Sequence, residues 1–542
     1  MSVVQNENKW IKYYSWAELL VIIGLACVPL FASFPFRINI FLSWEGAYRI
    51  SEGQMPFRDF GLPMGYMYWM VPAVFFKIFG AQLITLVKAQ VFINIISGLA
   101  FRSILKSIGI NPAIRLLSVV VYCLSFSFIN FWPWYNHTVI VYEMIGLAFL
   151  LRYLFQPATK WYWVLLVLSA FFTFVSFFTK QDGGALGFLL CSVLLLYNSI
   201  IEKKWLPLAI YIGSFVLIGF LFIYPLMPYQ FGYWFNHGQP PHQARFSAFD
   251  IIDEFFYSSQ WIKFYLLLIA ILLAVKVKDW KSFLSNKKEM LFLLLTLGIL
   301  AEAAILQITS YTPPEGNIFF HSFAFAYILS QFTSIVSFPI FRPRYMFLTL
   351  AGVLLWWSGS YWKYFTRMLD RVRPDEEMVS SSENVVNRKT YILNKDTGSI
   401  PQSQWIYSNL KSFKKIYMPA PTVQGMERIM KLDVLKTKDP KVLNMTELTP
   451  LAAEVPFKLE TGSYYPLWYH LGVGMFNQQA QLFEDRIRHH YYDLVLFEYI
   501  PNLNNFYPFR VRDSLQLYYH KIDSFYAPRQ GDTKGMIEVY VK

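Results

Sequence analysis

The chain has 542 residues, 55% of them hydrophobic and 19% aromatic, with only 15% charged, a net charge of +13 and a mean hydropathy of +0.35. This balance excludes an ordinary soluble globular protein and places most of the chain in lipid. The excess of positive charge does not point to nucleic acid, because much of it sits in short loops between apolar runs, where membrane topology accounts for it.

Apolar runs able to cross a hydrocarbon core of about 30 Å are expected near 17–36, 81–101, 113–131, 138–155, 161–178, 183–201, 205–228, 261–277, 290–309, 318–340 and 345–362, about eleven spans. The first follows a polar, aromatic lead without a small-residue cleavage site, so it is expected to stay as a helix. Orientation follows the lysines and arginines, which short cytoplasmic loops retain. With the N-terminus inside, the inner turns hold Lys9 and Lys12, then Arg102, Lys106 and Arg115, then Arg152 and Lys160, then Lys203 and Lys204. A lysine group from Lys276 to Lys288 follows, then Arg342 and Arg344. Gly65–Gly80 is apolar but short, and counting it as a span would turn the Arg102–Arg115 loop outward; it reads as an amphipathic helix on the outer surface. An odd number of spans puts the C-terminal region outside. Cys27, Cys123 and Cys191 all fall in expected spans, which leaves that outer region without a disulfide.

The first outer loop, 37–80, carries WEGAYRISEGQMPFRDF from Trp44 to Phe60. A helix beginning near Trp44 would bring Glu45, Arg49 and Glu52 to one face by i, i+4, i+7 spacing. Two readings stay open. Glu45 and Arg49 form a helical ion pair and nothing more, or one carboxylate is a general base toward an incoming hydroxyl while arginines such as Arg58 meet an anionic leaving group.

Further along, Asn136 and His137 stand at the outer start of the fourth span, and Lys180, Gln181 and Asp182 precede Gly183 and Gly184 at the sixth. Lys180 either snorkels to water or, with the free N–H groups of the following helix, holds a phosphate in the outer leaflet. Lys88, Glu143 and Glu302 share a depth of roughly 8–10 Å below the outer surface at 1.5 Å per residue. That depth marks either a polar cavity or ion pairs that lock helices together. The longest outer loop between spans contributes His237, His242 and Arg245, and His321 follows the turn Thr312–Gly316. No two histidines have HxxxH spacing, and the prolines argue for loops, so contacts other than metal ligation are expected. No cofactor is expected; a divalent metal is compatible with the chemistry, but no residue pattern indicates one.

After Trp362 the composition becomes mixed and charged. A polar connector, 363–400, is expected to lead into an α/β domain, 401–542, with strands at Tyr492–Tyr499 and in the terminal GMIEVYVK and a helix around Asn477–His490. Residues 1–362 form the transmembrane part. No internal repeat, Walker loop, GxGxxG fingerprint or CxxC pair is present.

Several of these motifs together resemble a family. Glu45, Gly46 and Tyr48, then PFRDF (Pro56–Phe60), the Pro-Met-Gly turn at 63–65, a surface helix ending FFKIFG and the TKQDGG turn at 179–184 are similar to the GT-C glycosyltransferases. The nearest in style are protein O-mannosyltransferases and lipid A aminoarabinose transferases. The resemblance implies a polytopic α-helical membrane fold with an extracytoplasmic α/β domain, a polyprenyl-phosphate sugar as donor, and Lys180 as a phosphate contact. Family members carry an Asp-Glu pair in this loop, with the aspartate implicated in catalysis. Here Trp44 takes the Asp place and Glu45 keeps the Glu, so the base is Glu45, or second Asp59, or the reaction differs. Relatives also place an acidic residue where Asn136 and His137 stand, with Glu143 deeper here.

The expected protein is thus a multi-pass transferase of a bacterial inner membrane, with its C-terminal domain on the periplasmic side. It would move a hexosyl or pentosyl group to a lipid, glycan or protein acceptor with inversion. Gln181 and Asp182 accompany Lys180 as substrate-binding candidates, and Asn136, His137, Glu143 and Arg245 are candidates for lining the pocket. A transporter or flippase of lipid-linked glycans is the alternative, with Lys88, Glu143 and Glu302 as its polar path. The carboxylate loop and the lack of two related halves favour the enzyme.

Overall fold

The computed structural model describes residues 2–36, 40–127, 130–156, 161–236, 248–309, 319–336, 338–359, 361–362, 365, 400–401, 404–455, 457–462, 465–467, 476–503, 507–529 and 534–542. His237, His242, Arg245, the turn Thr312–Gly316 and nearly all of the expected connector lie outside the described residues.

In chain order the first elements are α1 (Ser2–Cys27), a short β1 (Phe34–Pro35), α2 (Ile40–Ser51), α3 (Met67–Phe79), α4 (Leu83–Ile108), α5 (Pro112–Tyr122), α6 (Tyr135–Phe155) and α7 (Tyr162–Phe177). Then come α8 (Gln181–Glu202), α9 (Leu206–Ile223), α10 (Phe231–Asn236), α11 (Ala248–Tyr257), α12 (Gln260–Lys276), α13 (Trp280–Ser285), α14 (Lys287–Thr309), α15 (Phe320–Ile335) and α16 (Pro343–Trp356). The C-terminal part adds β2 (Trp405–Tyr407), β3 (Ile416–Pro419), α17 (Ala420–Ile429), β4 (Val442–Met445) and α18 (Phe476–Arg488). It ends with β5 (Leu494–Tyr499), α19 (Phe509–Tyr518), β6 (His520–Tyr526) and β7 (Met536–Val541).

Each apolar run expected as a span overlaps a helix. Among the described residues, 6 helices are long and apolar enough to cross a membrane, and α11 with α12, bent by 83°, make a seventh if they count as one span. Pro112–Ser127 and Tyr162–Phe177 are apolar but shorter, below the ~20 residues that a straight crossing needs. The chain is therefore a helical membrane-type protein followed by a region containing β-sheet.

Two compact units divide the chain. The first comprises Met1–Phe31, Pro63–Pro72 and Val87–Ser358. Its helices pack in sequence neighbours and beyond: α6 on α7, α7 on α8 and α9, α8 on α14, and α5 on α1 and α15. Asn111 caps α5 by accepting the Ala113 N–H at 2.9 Å, with Pro112 in the first helical turn, where a missing N–H is harmless. Glu18, fully buried on α1, accepts from Arg102 Nε at 2.6 Å and Arg115 Nε at 2.8 Å. Two arginines expected only to mark the inner side thus tie α1 to α4 and α5. Breaking such a buried pair leaves an uncompensated charge, which is why all three side chains must stay together.

The Pro-Met-Gly turn docks on the turn before α8. Gln181 donates to Pro63 O at 3.1 Å, and the Tyr66 ring meets Phe178 edge-on at 5.1 Å. The approach is so close that a Cβ on Gly65 would lie 1.6 Å from the Phe178 carbonyl oxygen. Gly184 is equally constrained, its Cβ position falling 2.1 Å from Phe177 backbone atoms. Gly65→Ala is expected to destabilise the protein by at least about 1–3 kcal/mol, since backbone has to move; a melting temperature equal to wild type would show that the two turns are not packed in this way.

The second unit comprises Ala32–Leu62, Ala73–Leu86 and Gly359–Lys542. Its larger sheet has the order β4-β5-β7-β6, with β4 parallel to β5 and the other pairs antiparallel. β5 (LVLFEY) buries nearly its whole length, as a continuous apolar run in a central strand does. At its end Glu498 lies buried with Glu447 and Arg529, and burial pushes its carboxyl above the ordinary range against the arginine's pull. A smaller sheet, β1-β3-β2, threads the start of the first loop into this unit: Phe34 and Pro35 pair in parallel with Ile416 and Tyr417.

Candidate active site

In the second unit, α2 carries the first-loop residues. Trp44 is fully buried, stacks on Tyr48 at 4.5 Å and donates its indole N–H to Ala81 O at 3.2 Å. Those contacts fix the roll of the helix, so the next positions, Glu45 and Arg49, face one direction one turn apart. Arg49 donates from Nε at 2.9 Å and from Nη2 at 2.7 Å to a single oxygen, Oε1 of Glu45. Its Nη1 donates to Gln54 Oε1 at 2.9 Å and to Glu460 O at 2.7 Å. The guanidinium also lies 4.7 Å from the Tyr465 ring centre and 5.6 Å from that of Phe60. Only 1% of Arg49 is exposed. A guanidinium so enclosed is oriented from every side, and the carboxylate it holds is oriented with it.

Glu45 is therefore a buried carboxylate with one oxygen pinned. No hydrogen bond reaches its Oε2 among the described residues, and the residue lines a small pocket with room for about 10 Å³, roughly one water. Burial pushes the Glu45 carboxyl above its ordinary range, against the lowering effect of the Arg49 charge and hydrogen bonds. A raised basicity with one free oxygen is what a proton acceptor needs.

Asp59 is arranged differently. Its Oδ1 accepts from Arg58 Nε at 3.0 Å, and its Oδ2 accepts from Arg58 Nη2 and from the Met55 N–H, both at 2.7 Å. These bonds, with Arg58 foremost, hold the Asp59 carboxyl below its usual range. Both oxygens are spent closing the 55–60 turn. Glu52 departs from the expected helical face: α2 stops at Ser51, Gly53 adopts a φ of +87°, and Glu52 is exposed at the turn. Gln54 takes the contact with Arg49 instead, which the spacing alone did not suggest.

The other partners come from far along the chain. Glu460, Tyr465 and Thr449 reach α2 from more than 400 positions away, and Glu460 is in turn held by Arg486. The backbone joins the same segments: Gly61 N–H donates to Tyr465 O at 2.7 Å, and Gly462 N–H to Asp59 O at 2.9 Å.

In the first unit, the TKQDGG turn gathers three candidates. Lys180 is 7% exposed, and its Nζ donates to Asp182 Oδ2 at 2.7 Å. That oxygen also accepts from Thr309 at 2.7 Å, and Oδ1 accepts from the Gly183 N–H at 2.8 Å. The lysine does not snorkel into water; it is a buried cation at a helix N-terminus, balanced by a carboxylate one residue inside. Gln181 bonds Pro63 O and Phe235 O. At the start of α6, His137 is buried against the Phe126 ring, 4.4 Å between centres, with Gln90 3.4 Å from its Nδ1; the Nε2 atom and Asn136 Oδ1 meet no partner among the described residues. Glu143 on α6 and Glu302 on α14 are both fully enclosed and face each other, with no donor on any of the four oxygens among the described residues. His321 accepts or donates at Nδ1 to the Tyr265 hydroxyl, 2.7 Å away, inside an aromatic cage that includes Trp261 and Trp357, a structural setting.

These features define a polytopic helical membrane protein that ends in a β-containing region and carries a buried, half-engaged carboxylate on its first loop. Its fold is similar to that of ArnT from Cupriavidus metallidurans: the apo structure superposes with a TM-score of 0.52 over 98% of each chain, at 11% sequence identity. The structure of the same protein bound to undecaprenyl phosphate superposes with a TM-score of 0.48 over 98% of each chain, also at 11% identity. No protein-family model and no curated protein matches the chain.

Proposed function

We propose that the protein is a GT-C-type glycosyltransferase that uses Glu45 as its general base. The observation that carries this reading is the Glu45 carboxylate: enclosed, raised in basicity, fixed through one oxygen by Arg49 and with no hydrogen bond at the other among the described residues. The shared fold with ArnT supports it.

In the proposed step, Glu45 takes the proton of an acceptor hydroxyl. The acceptor oxygen bonds to the anomeric carbon as the carbon–oxygen bond to phosphate breaks, and the electron pair leaves with polyprenyl phosphate. One base and no covalent intermediate give inversion. Arg49 keeps the carboxylate aimed through the reaction. Asp59 is the weaker candidate, since both its oxygens are engaged. Lys180, Gln181 and Asp182 remain candidates for the phosphate, with Asn136, His137, Glu143, Arg58 and Arg245 for the rest of the substrate. Eleven spans, a 363–400 connector and an extracytoplasmic 401–542 domain in a bacterial inner membrane complete the reading. A hexosyl or pentosyl donor and a lipid, glycan or protein acceptor all fit it.

Purified protein incubated with a polyprenyl-phosphate sugar and an acceptor extract is expected to release free polyprenyl phosphate. Transport of the intact donor across vesicles without release would favour a flippase. The acid limb of this activity gives a further check. A base works only when deprotonated, so kcat/KM should climb with pH through the raised Glu45 pKa, above the ~4.3 of an ordinary glutamate. The same shift means that the Glu45 contribution to stability is greatest below the unfolded pKa and declines as pH rises through the folded one. An acid limb at or below the ordinary glutamate value would remove Glu45 from the role.

A further inference from the structure

A sheet in a water-soluble region turns its apolar face inward and a polar face outward. The small sheet β1-β3-β2 departs from that rule. Its register places Phe34 beside Ile416 and Ile406 beside Met418 on one face. Pro35, Tyr417 and Tyr407 stand in a row on the other, with Trp405 two residues along β2 from Tyr407. The first face supplies core, since Phe34, Ile416 and Met418 are all buried. The opposite face is aromatic: the Tyr417 ring centre lies 6.0 Å from that of Trp405 and 5.8 Å from that of Tyr407. Tyr407 is 52% exposed, and Trp405, Tyr417 and Pro35 are half-buried.

The direction of the strands fixes where this face lies. β1 is parallel to β3, so both enter the sheet at the same end, and the antiparallel β2 leaves it there. The connection 408–415 is at that end, joined to β1 by the Phe34 N–H, which donates to Lys415 O at 3.1 Å. Only Ala32 and Ser33 separate Phe34 from Phe31, where the first helix able to cross a membrane ends. Three residues reach at most about 11 Å, and the headgroup layer on each side of the hydrocarbon is about 5–8 Å thick. The covalent chain therefore keeps this end of the sheet beside the headgroups.

The residues there suit that boundary. Lys411, Lys414 and Lys415 are exposed in the connection, and no ion pair engages Lys411 or Lys414 among the described residues. The carboxylates that touch the same connection serve it locally, Glu454 accepting from the Ser412 N–H and Glu427 from Asn409. Trp and Tyr rings favour the headgroup level, where one end is apolar and the other wet. The Trp405 N–H is bonded to Ile400 O at 3.0 Å, so that ring offers its apolar body. With lipid held in reach by the chain itself, the occupant is a bilayer surface and not a second protein.

We propose that the aromatic face of β1-β3-β2 and the lysines of its 408–415 connection dock on anionic lipid headgroups. This docking surface is independent of the transferase reading.

The test uses the full chain in nanodiscs that contain phosphatidylglycerol with a photoactivatable group on its headgroup. On illumination, lipid should attach to the segment 404–417, mapped by mass spectrometry, at several times the yield from a phosphatidylcholine probe carrying the same group. Added salt should lower that yield. Lys411→Gln combined with Lys414→Gln should cut it by as much as about 25-fold, roughly fivefold for each charge near an anionic surface. The melting temperature of that variant should match wild type, because both side chains are exposed. Lys411→Arg combined with Lys414→Arg keeps the charge and should keep the yield. No attachment within 404–417, equal yields from the two probes, an unchanged yield in the glutamine variant, or a yield lost in the arginine variant would each overturn the docking surface.

Discussion

In the Glu45→Gln protein, transfer falls by about 10²–10⁴-fold, the usual contribution of a positioned general base, while donor binding persists and the protein still folds at reduced stability, since Arg49 is left buried without its counter-charge. The amide keeps the shape of the side chain and can still accept from Arg49 through its carbonyl oxygen, so the guanidinium stays enclosed between Tyr465 and Phe60. What is lost is the capacity to take a proton at the second oxygen. The readout is release of polyprenyl phosphate per enzyme, with the melting temperature measured alongside. Retained turnover in a well-folded variant would take Glu45 out of the mechanism. Asp59→Asn is expected to do far less to turnover, because that carboxylate serves the Met55 N–H and Arg58.

Arg49→Met is expected to be the most destabilising single change in this part of the molecule, about 3–5 kcal/mol. The substitution leaves the Glu45 carboxylate buried without its counter-charge and removes the bonds to Gln54 Oε1 and Glu460 O that join α2 to the C-terminal region. Coupling to Glu45→Gln gives the argument a sign. In the double variant no buried charge is stranded, so much of the loss should be recovered, a non-additivity that a double-mutant cycle measures. Thermal unfolding of the four proteins checks it. A strictly additive pair, or a single variant as stable as wild type, would mean that Arg49 does not hold the carboxylate.

How far the sequence foretold this molecule depends on the length scale of the signal. Apolar runs are local, and every expected one overlaps a helix; the strands at Leu494–Tyr499 and Met536–Val541 are equally local in their pattern. The shorter helices explain why composition counted eleven spans where, among the described residues, 6 or 7 meet the criterion of length. Glu45 and Arg49 were legible because helical spacing alone brings them together. Glu52 was misplaced because the same periodicity was carried one turn past Gly53, whose left-handed backbone ends the helix. Lys180 and Asp182 were both visible, but not their bond, since two residues at an extended-to-helical junction follow no fixed facing rule. Glu18 was hidden inside an apolar run, its arginines assigned to topology. Nothing local announces Thr449, Glu460 or Tyr465, because their role exists only once segments more than 400 residues apart are joined.

The most direct measurement of the central claim is a density map of the protein with a polyprenyl-phosphate sugar and an acceptor analogue bound. The account predicts the acceptor hydroxyl within about 2.6–3.2 Å of Glu45 Oε2, with Oε1 still held by Arg49 and the anomeric carbon facing that hydroxyl. A donor seated with its sugar remote from Glu45, or a Glu45 that stays sealed behind Arg49 with no substrate atom beside it, would contradict the account.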